Sequence, residues 1–307
     1  MVGSGIRRVA AGGIEIAYES FGDPADPPVV LVMGLATQML GWPDGFCVAL
    51  AERGHFVVRF DNRDVGLSTH LHGAPPPDVV AAFAGDTSSA SYTLSDMARD
   101  TVGLLDALGL DGAHLVGASM GGMIVQTVAI EHPERVRSLT SIMSTTGDPS
   151  VGQATPEALG VLLAPPARTR EEAVERTVAT YRVIGSPGFE FDEAALRERA
   201  GRSYDRAFDP IGAGRQLLAV RASGSRRERL GDTRVPTLVI HGAQDPLVQV
   251  SGGRDTAAAI AGAELVVIDG MGHDLPRELW PDVADRIAAL VERGERGAAL
   301  PIAGRRE

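Results

Sequence analysis

The sequence predicts an α/β protein: a mostly parallel central sheet flanked by helices, with a block of helices inserted before the last strands. Three features carry that expectation. Short, wholly apolar runs recur, such as Pro28-Val29-Val30-Leu31-Val32-Met33-Gly34; segments of helical period lie between them; and from about Thr145 to Leu230 helical spacing replaces the strand pattern. Continuous apolar runs mark strands buried on both faces. Their alternation with helices implies parallel strands joined by right-handed crossovers. Such sheets bind ligands beyond the carboxyl ends of the strands, so the chemistry belongs in the loops that follow the runs.

In chain order, Ile6 to Phe21 alternates as an antiparallel hairpin would, turning at Gly12-Gly13 and forming one sheet edge. The run at Pro28 is the first doubly buried strand, and His55-Phe56-Val57-Val58-Arg59-Phe60 is the next. Asp61-Asn62-Arg63-Asp64-Val65-Gly66-Leu67-Ser68 follows it and reads as a buttress in which carboxylate, guanidinium and serine pair to fix the loop. His72 to Tyr92, with Pro75-Pro76-Pro77, reads as a mobile loop near the pocket. A helix is predicted from Leu94 to Leu108, with apolar residues at Leu94, Met97, Val102, Leu105 and Leu108 and Ser95-Asp96 near its start. His114-Leu115-Val116-Gly117, Pro236-Thr237-Leu238-Val239-Ile240-His241 and Leu265-Val266-Val267-Ile268 supply further strands.

The inserted block, residues 145–230, reads as a helical cap on a core made of residues 1–144 and 231–295. Its helices are expected at Glu171 to Ile184, Asp192 to Phe208 and Arg215 to Leu230. Pro149, Pro165-Pro166, Ser186-Pro187-Gly188 and Asp209-Pro210 punctuate them. Leu159, Val161, Leu162, Leu163 and Phe189, if they line the cap, favour a hydrophobic substrate; helix packing is the plainer account. Beyond Glu292 no apolar stripe continues, and residues 296–307 read as a disordered tail.

Composition removes several function classes. A formal net charge of -11 without a dense basic stripe speaks against a phosphate backbone as partner, so no nucleic acid is expected. Every basic side chain counted is arginine, and a chain without lysine can form neither a lysine Schiff base nor a G-x-x-x-x-G-K-[ST] phosphate loop. The single cysteine, Cys47, permits no intrachain disulfide and no cysteine metal cluster. No apolar run approaches the roughly 18 residues that span a bilayer. Met1-Val2-Gly3-Ser4-Gly5 lacks the character of a secretory signal. The reading is a cytoplasmic protein without membrane insertion.

Gly117-Ala118-Ser119-Met120-Gly121 fits G-x-S-x-G and lies between the strand ending at Gly117 and the helical run Met123 to Ile130. There a serine occupies a strained strand-to-helix turn, small neighbours admit close backbone approach, and the helix amino terminus favours developing negative charge. A serine needs a base, usually histidine, held by a carboxylate. Of seven histidines, His273 stands in a glycine-rich loop, Asp269-Gly270-Met271-Gly272-His273, just after a strand. His55, His114, His132 and His241 sit at element ends and read as structural, and His70 and His72 read as surface residues. For the acid, Asp245 follows the Pro236 strand, giving the chain order Ser, Asp, His. Asp148 and Asp269 are the alternatives. The oxyanion hole is assigned to the backbone N–H groups of Leu35, after the first buried strand, and Met120, after the nucleophile.

These features resemble the α/β-hydrolase superfamily, in particular the branch of aclacinomycin methylesterases and proline-iminopeptidase-like esterases. Further residues carry the resemblance: Phe21-Gly22-Asp23-Pro24, Gly41-Trp42-Pro43-Asp44-Gly45-Phe46, Arg63-Asp64 with Gly66 and Ser68, and Gly270-Met271-Gly272-His273 with Leu275-Pro276. It weakens from about Ser144 to Arg229. The resemblance implies the α/β-hydrolase fold, cofactor-free hydrolysis of a polyketide methyl ester through an acyl-enzyme, and the same Ser119, Asp245, His273, Leu35 and Met120. The expected partner is a small, hydrophobic ester. Thioesters, lactones, small amides and carbon–carbon bonds are open to the same triad, and a non-catalytic ligand-binding protein is the competing class.

Overall fold

The computed structural model describes residues 3–298. Its strands are β1 (Arg7–Ala11), β2 (Ile14–Phe21), β3 (Pro28–Val32), β4 (Phe56–Phe60), β5 (Ala113–Ala118), β6 (Val136–Ile142), β7 (Thr237–Gly242) and β8 (Glu264–Ile268). They form one sheet in the order β1-β2-β4-β3-β5-β6-β7-β8. The β1–β2 hairpin and the β2–β4 pair are antiparallel, and the remaining pairs are parallel. This is an α/β-hydrolase fold. Because side chains alternate across a strand, Val30, Val32 and Leu115 join one core and Val29, Leu31 and Val116 the other.

The helices before the insertion are α1 (Asp44–Ala51), α2 (Val79–Phe83), α3 (Leu94–Ala107) and α4 (Met120–Glu131). Those within it are α5 (Pro156–Leu162), α6 (Arg170–Ile184), α7 (Glu193–Arg206), α8 (Pro210–Ser223) and α9 (Arg227–Leu230), and α10 (Val250–Ala259) and α11 (Trp280–Ala298) follow. Helix α3 starts where its sequence signal places it, the Thr93 N–H donating to Asp96 at 2.8 Å.

Several elements differ from expectation, each for a local reason. The third expected helix of the insertion, α8, begins at Pro210 rather than Arg215. Asp209 is its cap, accepting from the N–H groups of Ile211 and Gly212 at 3.0 and 2.9 Å, and proline suits the first helical position. It stops at Ser223, where Gly224 has φ 60, and α9 follows as a separate turn. The stretch read as a loop from His72 contains α2, capped by Asp78. Helix α11 runs past Glu292 to Ala298, with Val291 buried; the rest of the expected tail, 299–307, lies outside the described residues.

The buttress after β4 is built differently from its sequence reading, because its charged groups pair outward. Arg63 grips Asp100 of α3 at 2.6 and 2.7 Å, Asp64 holds Arg215 of α8 at 2.7 and 2.8 Å, and Asp61 accepts from Arg206 of α7 at 2.8 Å. Within the run, Ser68 donates to the Asp61 carbonyl at 2.5 Å and Asp61 accepts from Leu67 N–H at 2.9 Å, while Ser68 also accepts from Ala17 N–H at 2.9 Å. The loop is thus the seat on which the inserted helices rest.

His114, at the start of β5, sets an acid limit to stability. Its ring is buried between Ser138 Oγ at 2.8 Å and Glu295 Oε1 at 3.0 Å, an oxygen Arg137 also engages at 2.9 Å. Burial pushes the imidazole down from 6.5 to about 4, against the pull of Glu295. The folded value lies below the unfolded one, so between pH 6.5 and 4 the unfolded chain binds the extra proton and stability falls as pH falls. The full loss is about 3 kcal/mol. His114→Asn is expected to flatten the decline of Tm across that window; an unchanged decline would place the acid sensitivity elsewhere.

Candidate active site

Glycines let three segments converge at the carboxyl ends of β3, β5 and β7. A Cβ on Gly117 would fall 2.2 Å from the Gly121 carbonyl, and one on Gly121 would fall 2.0 Å from the Val32 carbonyl. The turn between β5 and α4 can therefore close only with hydrogen at both positions. Ser119 at its apex has φ 56 and ψ -121, a conformation an L-residue keeps only when its surroundings impose it. They do so through Ser119 N–H to the Ile142 carbonyl at 2.9 Å and Ser144 Oγ to the Ser119 carbonyl at 2.8 Å.

The structure brings Ser119, His273 and Asp245 into one hydrogen-bonded chain. Ser119 Oγ lies 2.9 Å from His273 Nε2, and His273 Nδ1 lies 2.7 Å from Asp245 Oδ2. Asp245 is buried, and its other oxygen accepts from the N–H groups of Leu247 and Val248, both at 2.9 Å. A carboxylate fixed in this way asks Nδ1 to donate, which leaves Nε2 free to accept from the serine. Ser119 is only partly buried and open to a substrate. The alternative acids lie elsewhere: Asp148 is occupied by the Ser150 N–H and hydroxyl, and Asp269 makes no hydrogen bond to His273 among the described residues.

His241 closes β7 fully buried, 2.7 Å from the Val248 carbonyl, and burial lowers its pKa, so a neutral ring supports the loop that carries Asp245. The loop carrying His273 is tied to the insertion. His273 N–H donates to the Ile184 carbonyl at 2.7 Å, Gly272 N–H to Ser186 Oγ at 2.9 Å, and Gly188 N–H to the Gly270 carbonyl at 2.9 Å. Ser186 in turn donates to Asp274, a carboxyl that burial raises above its ordinary range.

Met120 is the first residue of α4, so its N–H has no partner within the helix. The loop holding Leu35 reaches the serine through Gly34, where a Cβ would stand 3.1 Å from Ser119 Cβ. Sequence reasoning missed how that loop is held. Ala36 N–H donates to Gln216 Oε1 of α8 at 2.8 Å, and Gln38 Nε2 donates to the carbonyls of Ser203 and Ala207, at the end of α7, at 2.7 and 2.9 Å. No local pattern encodes contacts between groups so far apart in the chain. Cys47 is buried in α1, and burial pushes its thiol up to about 12, far from a reactive thiolate. His70, His72 and Asp209 form a separate polar group between the loop after β4 and the cap of α8, with His70 Nδ1 2.7 Å from Asp209. No helix among the described residues is long and apolar enough to cross a membrane.

A family model described as the alpha/beta hydrolase fold matches residues 27–276. The chain is 32% identical over 305 residues to rhodomycin D methylesterase of Streptomyces sp. strain C5, covering 92% of this chain and 97% of that one. It is 26% identical over 266 residues to 3-oxoadipate enol-lactonase 2 of Acinetobacter baylyi, covering 85% and 87%. Of solved structures, 2-hydroxy-6-oxo-6-phenylhexa-2,4-dienoate hydrolase from Rhodococcus sp. strain RHA1 aligns with a TM-score of 0.71 at 23% identity, over 95% of this chain and 98% of that one, a likeness of fold.

Proposed function

For a chain that belongs to the α/β-hydrolase family and is a serine ester hydrolase, we propose that Ser119 is the nucleophile, His273 the general base and Asp245 the orienting acid, acting on the methyl ester of a hydrophobic small molecule. The observation that carries the reading is the Ser119–His273–Asp245 chain, with hydrogen bonds of 2.9 and 2.7 Å, at the apex of the turn before α4. Ser119 Oγ adds to the ester carbonyl carbon while its proton passes to His273 Nε2. The Leu35 and Met120 N–H groups receive the negative oxygen, and Asp245 stabilises the imidazolium. Collapse breaks the bond to the alcohol oxygen, which leaves as methanol with the proton from Nε2. Water then repeats the two steps on the acyl-enzyme and frees the acid and Ser119.

The methyl ester is supported by the likeness to a methylesterase along nearly the whole chain. Residues 145–230 act as the cap over a core of 1–144 and 231–295. A hydrophobic acyl group suits the half-buried apolar side chains of Leu159, Leu162 and Phe189 in the insertion. The test is a matched set of methyl, ethyl and butyl esters of one polycyclic aromatic acid, with an enol-lactone alongside. Methyl is expected to give the highest kcat/KM by about tenfold or more, as a pocket that excludes extra methylenes would. Equal rates across the alkyl series would remove the methyl assignment, and faster lactone opening would replace it.

A further inference from the structure

We infer that the inserted helices hold the oxyanion loop in its working shape, and that Gln216 of α8 is the positioning residue through which they do so. The inference rests on the assignment of Leu35 N–H as an oxyanion donor. The loop needs holding. Thr37 N–H donates to the Gly34 carbonyl at 3.3 Å, closing a four-residue turn, and Ala36 in its third position has φ 54. Glycine is the residue that adopts that conformation freely. An alanine there gains by rotating the Leu35–Ala36 peptide, which would turn the Ala36 N–H over and loosen the turn that positions the preceding Leu35 N–H.

Gln216 opposes the rotation. It is fully buried, and its amide is used at both ends: Oε1 accepts from Ala36 N–H at 2.8 Å while Nε2 donates to the Arg63 carbonyl at 2.7 Å. One partner is a donor and the other an acceptor, so the amide has a single satisfying orientation. Arg215, its neighbour, anchors the helix through the buried pair with Asp64. The far end of the loop is clamped independently, with Gln38 set between the end of α7 and the Arg206 guanidinium. The core holds the two ends of the loop, Asn62 at the Met33 carbonyl and Asp61 at the Met39 N–H, while the insertion supplies the contacts at Ala36 and Gln38, so the oxyanion hole is complete only when the insertion is seated.

Acylation and deacylation both pass through a tetrahedral oxyanion, so losing the brace should slow the two steps together. Gln216→Leu is expected to lower kcat about 10- to 100-fold, less than deletion of a donor outright, with KM within about twofold. Ala36→Gly in the Gln216→Leu background is the decisive readout. Glycine holds the left-handed turn without the brace, so much of the lost kcat should return, which a general packing role for Gln216 would not allow. A folded Gln216→Leu enzyme with wild-type kcat, or a loss that Ala36→Gly leaves untouched, would overturn the inference.

Should Gln216→Leu not fold, Gln216→Asn and Gln216→Glu carry the test. The shortened amide cannot reach Ala36 and should lose rate, while the buried glutamic acid in its protonated form keeps an acceptor for Ala36 and an O–H donor for the Arg63 carbonyl and should retain rate; equal rates in both sink the idea. A wild type that neither hydrolyses esters nor takes a fluorophosphonate refutes the functional reading instead, so the two failures are distinct.

Discussion

Ser119→Ala is expected to lower kcat for ester hydrolysis by about a million-fold and to abolish labelling by a fluorophosphonate, with little change in Tm. The size follows from the absence of a substitute: without Oγ no acyl-enzyme forms, and His273 Nε2 is left to act on water alone. The fold should survive, because the turn is held by backbone groups, Ser119 N–H to Ile142 and the Ser119 carbonyl to Ser144. Among the described residues, the serine side chain bonds only to His273. Rate acceleration of about 10³- to 10⁴-fold over water can persist from the oxyanion donors and binding. Intact mass after fluorophosphonate treatment, measured beside turnover, separates the outcomes. Label retained in the alanine variant would place the nucleophile at another residue and refute the assignment of Ser119.

Asp245→Asn should cost about 10⁴-fold in kcat while leaving the protein folded. The carboxylate is wholly buried, one oxygen held by two backbone N–H groups and the other facing His273 Nδ1. An asparagine keeps its oxygen on the two N–H donors and must turn its NH₂ toward the histidine. Nδ1 then accepts, the ring proton moves to Nε2, and the base faces Ser119 with a donor where it needs a lone pair. Asp245→Ala is the sharper test of structure, because it strips both N–H groups of their acceptor at a cost of about 1–3 kcal/mol. Steady-state rates and thermal melts on both variants check the pair of statements. If Asp245→Asn retained activity within about tenfold of wild type, the tautomer argument would fail and another acceptor would have to orient the ring.

The architecture and the three positions that meet in the Ser119–His273–Asp245 hydrogen-bonded chain were legible because each rests on a local pattern. A strand buried on both faces announces itself as an unbroken apolar run, as at Pro28 and Pro236. A strained strand-to-helix turn demands the glycines around Ser119, and a loop after a late strand offers His273. Helix ends were less legible: Asp209-Pro210 reads equally well as a connection or as a cap, and only the packing of α8 selects the cap. The charged run after β4 was read correctly as a buttress but with the wrong partners, since Asp61 and Asp64 meet arginines 145 and 151 residues away. What the sequence by itself determined is the sheet, the strained turn at Ser119 and the residue types of the hydrogen-bonded chain, all products of backbone sterics and short-range periodicity. Only the tertiary structure decided that α7 and α8 seat on that buttress and that Gln216 reaches Ala36 across 180 residues. Buried ion pairs and amide hydrogen bonds are chosen by proximity in space, and spacing along the chain carries no trace of it.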